Sequence, residues 1–539
     1  MEFDPWAMTP MPLLPAEQRT ATWDEVLRGF DEELVRAEAE RCIQCGHPLC
    51  IDGCPNRNPI PTFIGLVQEG RYAEAAAADY LQNALPSCTG RVCAWEAQCE
   101  GRCVLNARGE GVRVGAIERF IADYALAHPD EVAAAQTRIS GSLSSTGRLP
   151  ADFPYESLVR AYQDTTPPDQ PDWLGGRDEA AAGRAVAVVG SGPAGLACAD
   201  FLARRGAAVT VWEAQAQPGG LLRDGIPEFV LSHAVVEREV ARLSDEGVVF
   251  RFGAALGRDI TLDDLQKRFD AVFVAIGASR ARGLGVPGED AEGVWSAQAF
   301  LHRAKLATER PDVAPPPVGP RVLVIGAGNT AMDAARTAVR LGARDVRIVY
   351  RRTRAESPSR AVEIAHAIEE GVSFDYLVLP VELHKDERGR LISARLQRMR
   401  LGEPDASGRR RPEPVPGSEF DFPCDTLVQA VGYAVEGDAL GHPEVLARGG
   451  WIQDQGDGVT TALPGVFAGG DDVRGPATVV EAIHDGRQAA QAIVDYLRQL
   501  GRAPSAALGT GVRAADAAAT QVRDGAQGRH EAAAAVAAG

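Results

Sequence analysis

From residue 185 onward, short continuous apolar runs alternate with stretches of helical periodicity, whereas the chain up to about residue 150 carries several helix-like stretches. The runs AVAVVG at 185–190 and RVLVIG at 321–326 show no polar alternation, which predicts strands buried on both faces of a parallel sheet with crossover helices. Each runs into a glycine-rich turn and then a helical pattern, LACADFLARRG after the first and AMDAARTAVRLG after the second. AVTVWEA and DVRIVY supply the next strand in each case, so two dinucleotide folds are predicted in one chain. Near the end, GVFAGGDD at 465–472 is strand-like and precedes a helical stretch at 478–499. Upstream, 65–82 and 115–127 read as helices.

Punctuation divides the chain further. The first region extends to about residue 150, and QDTTPPDQPDWLGGRDEA at 163–180 is a polar connector whose prolines serve neither ladder nor helix interiors, which gives a linker over 151–183. The residues 501–539, rich in Ala, Gly, Ser and Arg without an apolar period, form a tail expected to be disordered.

Length and charge narrow the class. At 539 residues the chain exceeds the size at which one core stops growing, so several domains are expected. A formal net charge of -18 offers no basic stripe to neutralise phosphates, which argues against nucleic acid as a partner. No apolar run approaches the roughly 20 residues a membrane span needs, and the start lacks the basic-then-apolar layout of a signal peptide, so a cytoplasmic location is expected.

Eight of the ten cysteines lie between Cys42 and Cys103. In a reducing compartment such a block holds metal or a cluster more readily than disulfides. The first group is Cys42-x2-Cys45-x4-Cys50-x3-Cys54-Pro55, which ends as a bacterial ferredoxin run does; the second is Cys88-x4-Cys93-x5-Cys99-x3-Cys103. In the ferredoxin run the fourth cysteine serves the other cluster, so crossed ligation is plausible here. The alternative, a pair of zinc sites, would favour Cys-x2-Cys in both halves, and only one such pair occurs.

The first glycine turn, Gly190-Ser191-Gly192-Pro193-Ala194-Gly195, has glycines for the tight turn, for close approach to a pyrophosphate, and for helix packing. Glu213, about 23 residues on, ends the next strand and suits unphosphorylated ribose hydroxyls, as the adenosine half of FAD requires. In the second turn, Gly326-Ala327-Gly328-Asn329-Thr330-Ala331, alanine replaces the third glycine. The strand after it ends in Arg351 and Arg352, with Arg354 and Arg360 nearby; guanidinium forks match a 2′-phosphate, so NADPH is favoured over NADH. The competing reading of these arginines is a solvated loop. Together the sites predict a series in which nicotinamide gives a hydride, flavin splits it, and clusters carry single electrons. Such chemistry needs positioned cofactors, and no side chain is assigned as a general acid or base.

The residues at this point resemble the small-subunit family of NADPH glutamate synthase, which is shared with the N-terminal half of dihydropyrimidine dehydrogenase and the large subunit of NADH-dependent ferredoxin:NADP oxidoreductases. The likeness, from about residue 35 to 500, rests on the paired cysteine groups, CEGRC at 99–103, GAIE at 115–118, GGLLRDGIPEFVL at 219–231, VYRRTRAESPSR at 349–360 and GVFAGGDDVRGPATVVEAIHDGR at 465–487. It implies an α/β chain with an N-terminal α-helical domain (1–150) for two [4Fe-4S] clusters and two Rossmann-like domains of glutathione-reductase type. The NADPH domain (318–436) would be inserted in the FAD domain (184–317 and 437–500).

Carried over by position, the resemblance gives one cluster Cys42, Cys45, Cys50 and Cys103. The other takes Cys54, Cys93, Cys99 and a non-cysteine ligand that falls on Glu118, with Cys88 a spare; the competing reading of Glu118 is a solvent-facing helix residue. Gly219, Gly220, Leu221, Ile226 and Pro227 would lie near the flavin, Gly470 and Asp471 at its ribityl or phosphate region, and Thr478 to Ala482 against its ring system. Cys198 and Cys424 have no partner pattern and are expected to be small core residues. The implied partner is the large FMN and iron–sulfur subunit of glutamate synthase, which makes glutamate from glutamine and 2-oxoglutarate. Glu2 after Met1 offers no processed N-terminal cysteine for glutaminase work, and the chain has no room for an FMN barrel, so it would be the electron-input subunit alone. The rival readings are a stand-alone or differently partnered NAD(P)H oxidoreductase, pyrimidine-reducing, sulfide-linked or ferredoxin-linked, and a non-catalytic assembly protein.

Overall fold

The computed structural model of the protein describes residues 4–146, 153, 177–404 and 408–501. The linker expected at 151–183 lies outside the described residues apart from 153 and 177–183, and so does the tail expected at 501–539 apart from Gly501.

The N-terminal part is helical, and Val114–Ala127 matches the stretch expected at 115–127. The single helix expected over 65–82 is instead two, Ile60–Gln68 and Tyr72–Tyr80. Gly70 separates them at φ 74°, and the Gly70 and Arg71 amides donate back to the Val67 and Leu66 carbonyls. That is the left-handed closure by which glycine ends a helix, and the surrounding apolar period masks it.

Two parallel sheets follow. The first has the order 466–468, 271–274, 185–189, 208–212, 249–251, and the second 294–296, 426–429, 321–325, 345–350, 373–376. All strands of the second sheet fall between the fourth and fifth strands of the first in sequence, so the second fold is inserted in the first. The inserted part begins earlier than 318: strand Val294–Ser296 pairs with Thr426–Gln429, and helix Ala297–Glu309 packs Phe300 and Leu301 into the second core. The strand is only three residues long, too short to show a period. An antiparallel sheet built on the long strand Leu391–Pro404 branches from the inserted part.

In both sheets the strand leading to a glycine turn is central, and the chain order reverses beside it. Sites at the carboxyl ends of such reversal points are where open α/β sheets bind nucleotides. Val186, Val188, Val322 and Val324 are at most 1% exposed, which accounts for their unbroken apolar runs.

An N-terminal arm, closed on itself by the Leu13–Leu27 bridge, touches all three parts. The Glu25 carboxylate accepts from Arg91 and Arg119 of the helical part and from the Ser232 amide of the first fold. Val26 donates to the Phe229 carbonyl, while Arg340 of the second fold donates to the Thr22 carbonyl and lies 3.7 Å over the Phe229 ring. Arg19 pairs with Glu369 of the second fold at 2.7 Å. Among the described residues no helix is long and apolar enough to cross a membrane.

Candidate functional site

At the first turn each glycine has its own reason. Gly190 sits at φ 101°, and a Cβ there would lie 2.2 Å from the Ala275 carbonyl oxygen; one on Gly195 would lie 2.0 Å from the Gly190 oxygen. Around Gly192 nothing lies within 4 Å of a Cβ, which leaves open space in front of the N-terminus of helix Pro193–Arg204, where amides can meet a pyrophosphate. Glu213, buried at the end of its strand, turns back to this turn: its carboxylate accepts from the Ser191 amide at 3.0 Å and from the Ser191 hydroxyl.

Helix Val479–Leu500 closes over the same turn. A Cβ on Gly486 would lie 2.1 Å from the Ala194 carbonyl oxygen, so only glycine lets the two helices approach this closely. A Cβ on Gly470, at φ 95°, would lie 3.0 Å from the Ala194 methyl, and one on Gly220, at φ 51°, 3.0 Å from the Gly192 Cα, so the three segments converge on one edge. Leu221 opens a short helix directly after Gly220, and Ile226 and Pro227 follow it. Asp471, expected in the flavin site, has its carboxyl pushed up to about 6 by burial despite accepting from the Ala477 amide. Asp472 was not singled out. It is fully buried and accepts from the Ile276 amide at 2.8 Å, pinning the loop after strand Ala271–Val274, and its Oδ1 has no partner. Thr478 caps the closing helix in a reciprocal box with Glu481.

The second turn repeats the first. Gly326, at φ 129°, would place a Cβ 2.3 Å from the Ala430 oxygen, and around Gly328 only Pro358 comes within 4 Å. What closes over it is local: Asn329 Oδ1 accepts from the Ser359 hydroxyl at 2.9 Å and the Arg360 amide at 3.0 Å, and Ser357 donates to the Ala327 carbonyl. Thr330 bonds to the Tyr433 hydroxyl. The three arginines expected here part company. Arg351 is exposed at the strand end; Arg352 is buried with Nε on the Arg410 carbonyl at 2.8 Å; Arg360 points away from the turn into the helical part, with its guanidinium over Trp95.

The thiols fall into the two crossed sets. Cys42, Cys45, Cys50 and Cys103 are half-buried neighbours: the Cys42 and Cys50 thiols are pushed up first by burial and also by the other members, Cys42 to about 11. Cys54, Cys93, Cys99 and Glu118, all buried, line one cavity with Thr89, Trp95 and Val480 among its walls. The Glu118 carboxylate faces inward rather than solvent, accepting from Asn83 at 3.0 Å and Asn58 at 3.2 Å, and burial pushes it up to about 7. Cys88 lies elsewhere, in the core shared with the first sheet, and Cys198 and Cys424 are buried core residues.

Both sets fit iron–sulfur clusters. Backbone amides of Gln44, Ile51, and Asn56 with Asn58 donate to the sulfurs of Cys42, Cys50 and Cys54, which favours the thiolate form that binds iron. Gln44 reaches this position with a left-handed backbone at φ 48°. Val480 ties the sites together: it is the second residue of the helix that presses the first glycine turn, and its side chain lines the cavity of Cys54, Cys93 and Cys99.

Residues 19–129 match the family described as dihydropyrimidine dehydrogenase domain II, 4Fe-4S cluster, and residues 184–486 match pyridine nucleotide-disulphide oxidoreductase. The chain is 36% identical to the glutamate synthase [NADPH] small chain of Escherichia coli (strain K12) over 496 residues, covering 90% of this chain and 96% of that one. It is 39% identical over 455 residues to the NADP(+)-dependent formate dehydrogenase subunit beta of Moorella thermoacetica, covering 84% of this chain and 60% of that one. Among solved structures, Mycobacterium tuberculosis FprA in complex with NADPH shares the fold, with a TM-score of 0.51 at 22% identity over 59% of this chain and 85% of that chain. The chain is therefore an NADPH-dependent oxidoreductase with FAD and two [4Fe-4S] clusters as its further cofactors, and it belongs to the glutamate synthase small-chain family.

Proposed function

We propose that the chain is the NADPH-oxidising subunit of a glutamate synthase, taking a hydride at the Gly326 turn and delivering single electrons through the cavity of Cys54, Cys93, Cys99 and Glu118. The observation that carries this is the helix Val479–Leu500, which reaches the first glycine turn with Gly486 and the buried thiol cavity with Val480. The bound flavin supplies the conversion of a two-electron donor into one-electron steps.

The protein's own part is placement and exclusion. Gly192 and Gly328 leave room for phosphates at two helix N-termini, and Glu213, now bonded to Ser191, is the carboxylate that would accept from the adenosine ribose hydroxyls of FAD. The exposed Arg351 and Arg354 offer the charge a 2′-phosphate needs, which Arg360, turned away, does not. The buried set, walled by Ile60, Val114 and Val480, is kept from water, whereas Cys42, Cys45, Cys50 and Cys103 are half-exposed and form the exit toward a partner. That partner is the FMN-containing large subunit, which would use the electrons to form glutamate from glutamine and 2-oxoglutarate.

The test is anaerobic purification with iron, sulfide and flavin analysis, NADPH titration, and capture of the partner from the native extract. Eight irons and one flavin per chain, bleaching with NADPH, and co-purification of a glutamate-forming subunit support the reading. A chain that oxidises NADPH with dyes and binds no such subunit overturns the partner. The likeness to a formate dehydrogenase subunit favours, as second reading, the same electron-input unit joined to a different oxidoreductase.

A further inference from the structure

Arg360 belongs by sequence to the nucleotide loop and by position to the thiol cavity. Its backbone amide donates to Asn329 Oδ1 at 3.0 Å, but its side chain crosses to the helical part. There its Cζ lies 4.3 Å over the Trp95 ring, Nη1 3.5 Å from the Arg91 carbonyl oxygen, and Nε 3.5 Å from the Glu96 carboxylate. All three contacts fall on the segment 91–96 that carries Cys93, and Trp95 is itself a wall of the cavity.

The guanidinium is poorly matched where it sits. Its side chain is 3% exposed, and Nε and Nη2 make no hydrogen bond. Glu96 is too far for a hydrogen bond and 35% exposed, so water screens it; Glu363, 3.9 Å from Nη1, is already held by Arg336 at 2.6 Å. The buried Glu100 and Asp333 carboxyls also feel this guanidinium, but burial pushes both up toward their neutral forms, so the cation still gains from further negative charge nearby. The cavity is where such charge would come from: three thiolates and a carboxylate around a cluster gain one more negative charge when it takes an electron.

We propose that Arg360 is the fixed positive charge that stabilises the reduced form of the cluster held by Cys54, Cys93, Cys99 and Glu118, and so raises its reduction potential. This rests on the reading that the cavity takes a cluster. The step is the addition of one electron, supplied by NADPH through the flavin, and it needs no proton or further reactant. Because the Arg360 amide is bonded to Asn329 at the nucleotide turn, the same residue ties the position of this charge to the site where electrons enter.

The experiment is a redox titration of the anaerobically purified holoprotein followed by electron paramagnetic resonance. Cys93→Ser identifies which signal belongs to the buried set. Arg360→Gln is expected to lower the reduction equilibrium of that cluster about tenfold, which for one electron is about 59 mV, with Arg360→Lys retaining most of the potential. Glu96→Gln, which removes the opposing charge at a half-exposed position, is expected to shift it upward. A purely structural role would not give opposite signs. Arg360→Gln with normal iron, sulfide and flavin and an unshifted potential overturns the proposal. If that variant fails to fold, a Glu96→Gln protein without an upward shift overturns it equally. A Cys93→Ser protein that keeps all its iron and both signals overturns instead the placing of a cluster in the cavity.

Discussion

The two glycine turns share a spacing, a central place in a parallel sheet, and a carbonyl packed where a Cβ would be, at Ala275 for one and Ala430 for the other. They differ in what closes over them. The first is covered by a helix more than 280 residues downstream, whose own glycine, Gly486, meets Ala194 and whose Val480 lines the buried thiol cavity. The second is covered by its own loop, 353–360, through Ser357, Ser359 and the Arg360 amide. Under the proposed function one motif would serve two ends of a series: the remote cover would join its site to the next carrier, and the local cover would leave its site open to an exchanging nucleotide.

The sharpest way to break this contrast is Gly486→Val. The side chain would meet backbone that cannot yield cheaply, so about 3 kcal/mol of stability should be lost, with flavin lost on purification. Gly328→Ala, where the nearest atom is 3.9 Å away, should keep the fold and the flavin; denaturant melts and flavin content compare the two. Cys93→Ser should halve the iron content and abolish electron delivery to a one-electron acceptor while NADPH still bleaches the flavin; equal loss of both activities would contradict the proposed order. At the second turn, Arg351→Ala should raise KM for NADPH about tenfold and leave NADH unchanged, whereas a comparable rise for both would remove Arg351 from the phosphate site.

A smaller effect concerns pH. Burial, then Arg487 and Arg474, push His484 on the closing helix down to about 4. With the folded value below the unfolded one near 6.5, the contribution is complete above pH 6.5 and is lost as pH falls toward 4. Partial exposure limits it to about 1–2 kcal/mol, so denaturant melts at pH 7 and pH 5 should diverge less for His484→Gln than for the unaltered chain. Equal divergence would show that the imidazole is not held neutral.

What could be read from the sequence was whatever local spacing encodes. Gly190, Gly195 and Gly326 were legible because each lies in a strand–turn–helix unit that is continuous in the chain, even though Gly190 and Gly326 pack against the distant Ala275 and Ala430 carbonyls. The crossed thiol sets came through the family likeness, and the cavity of Cys54, Cys93, Cys99 and Glu118 has that grouping. Gly486 and Asp472 escaped notice because their partners, Ala194 and Ile276, are distant in sequence; the doubled acid at 471–472 was the one signal available. Arg360 was grouped with Arg351 because a loop sequence does not show which way a side chain leaves it. The break at Gly70 was hidden by apolar residues on both sides, and strand Val294–Ser296 was too short to carry a pattern.

The arm closed by the Leu13–Leu27 bridge has a thermal corollary. Glu25 fastens the helical part to the first fold, and Thr22 and Arg19 fasten the second, so heat that frees any one part must peel the same strap from the others. Calorimetry should record a single cooperative endotherm for the intact chain, and separate melting of the parts would show that the strap does not bear that tension.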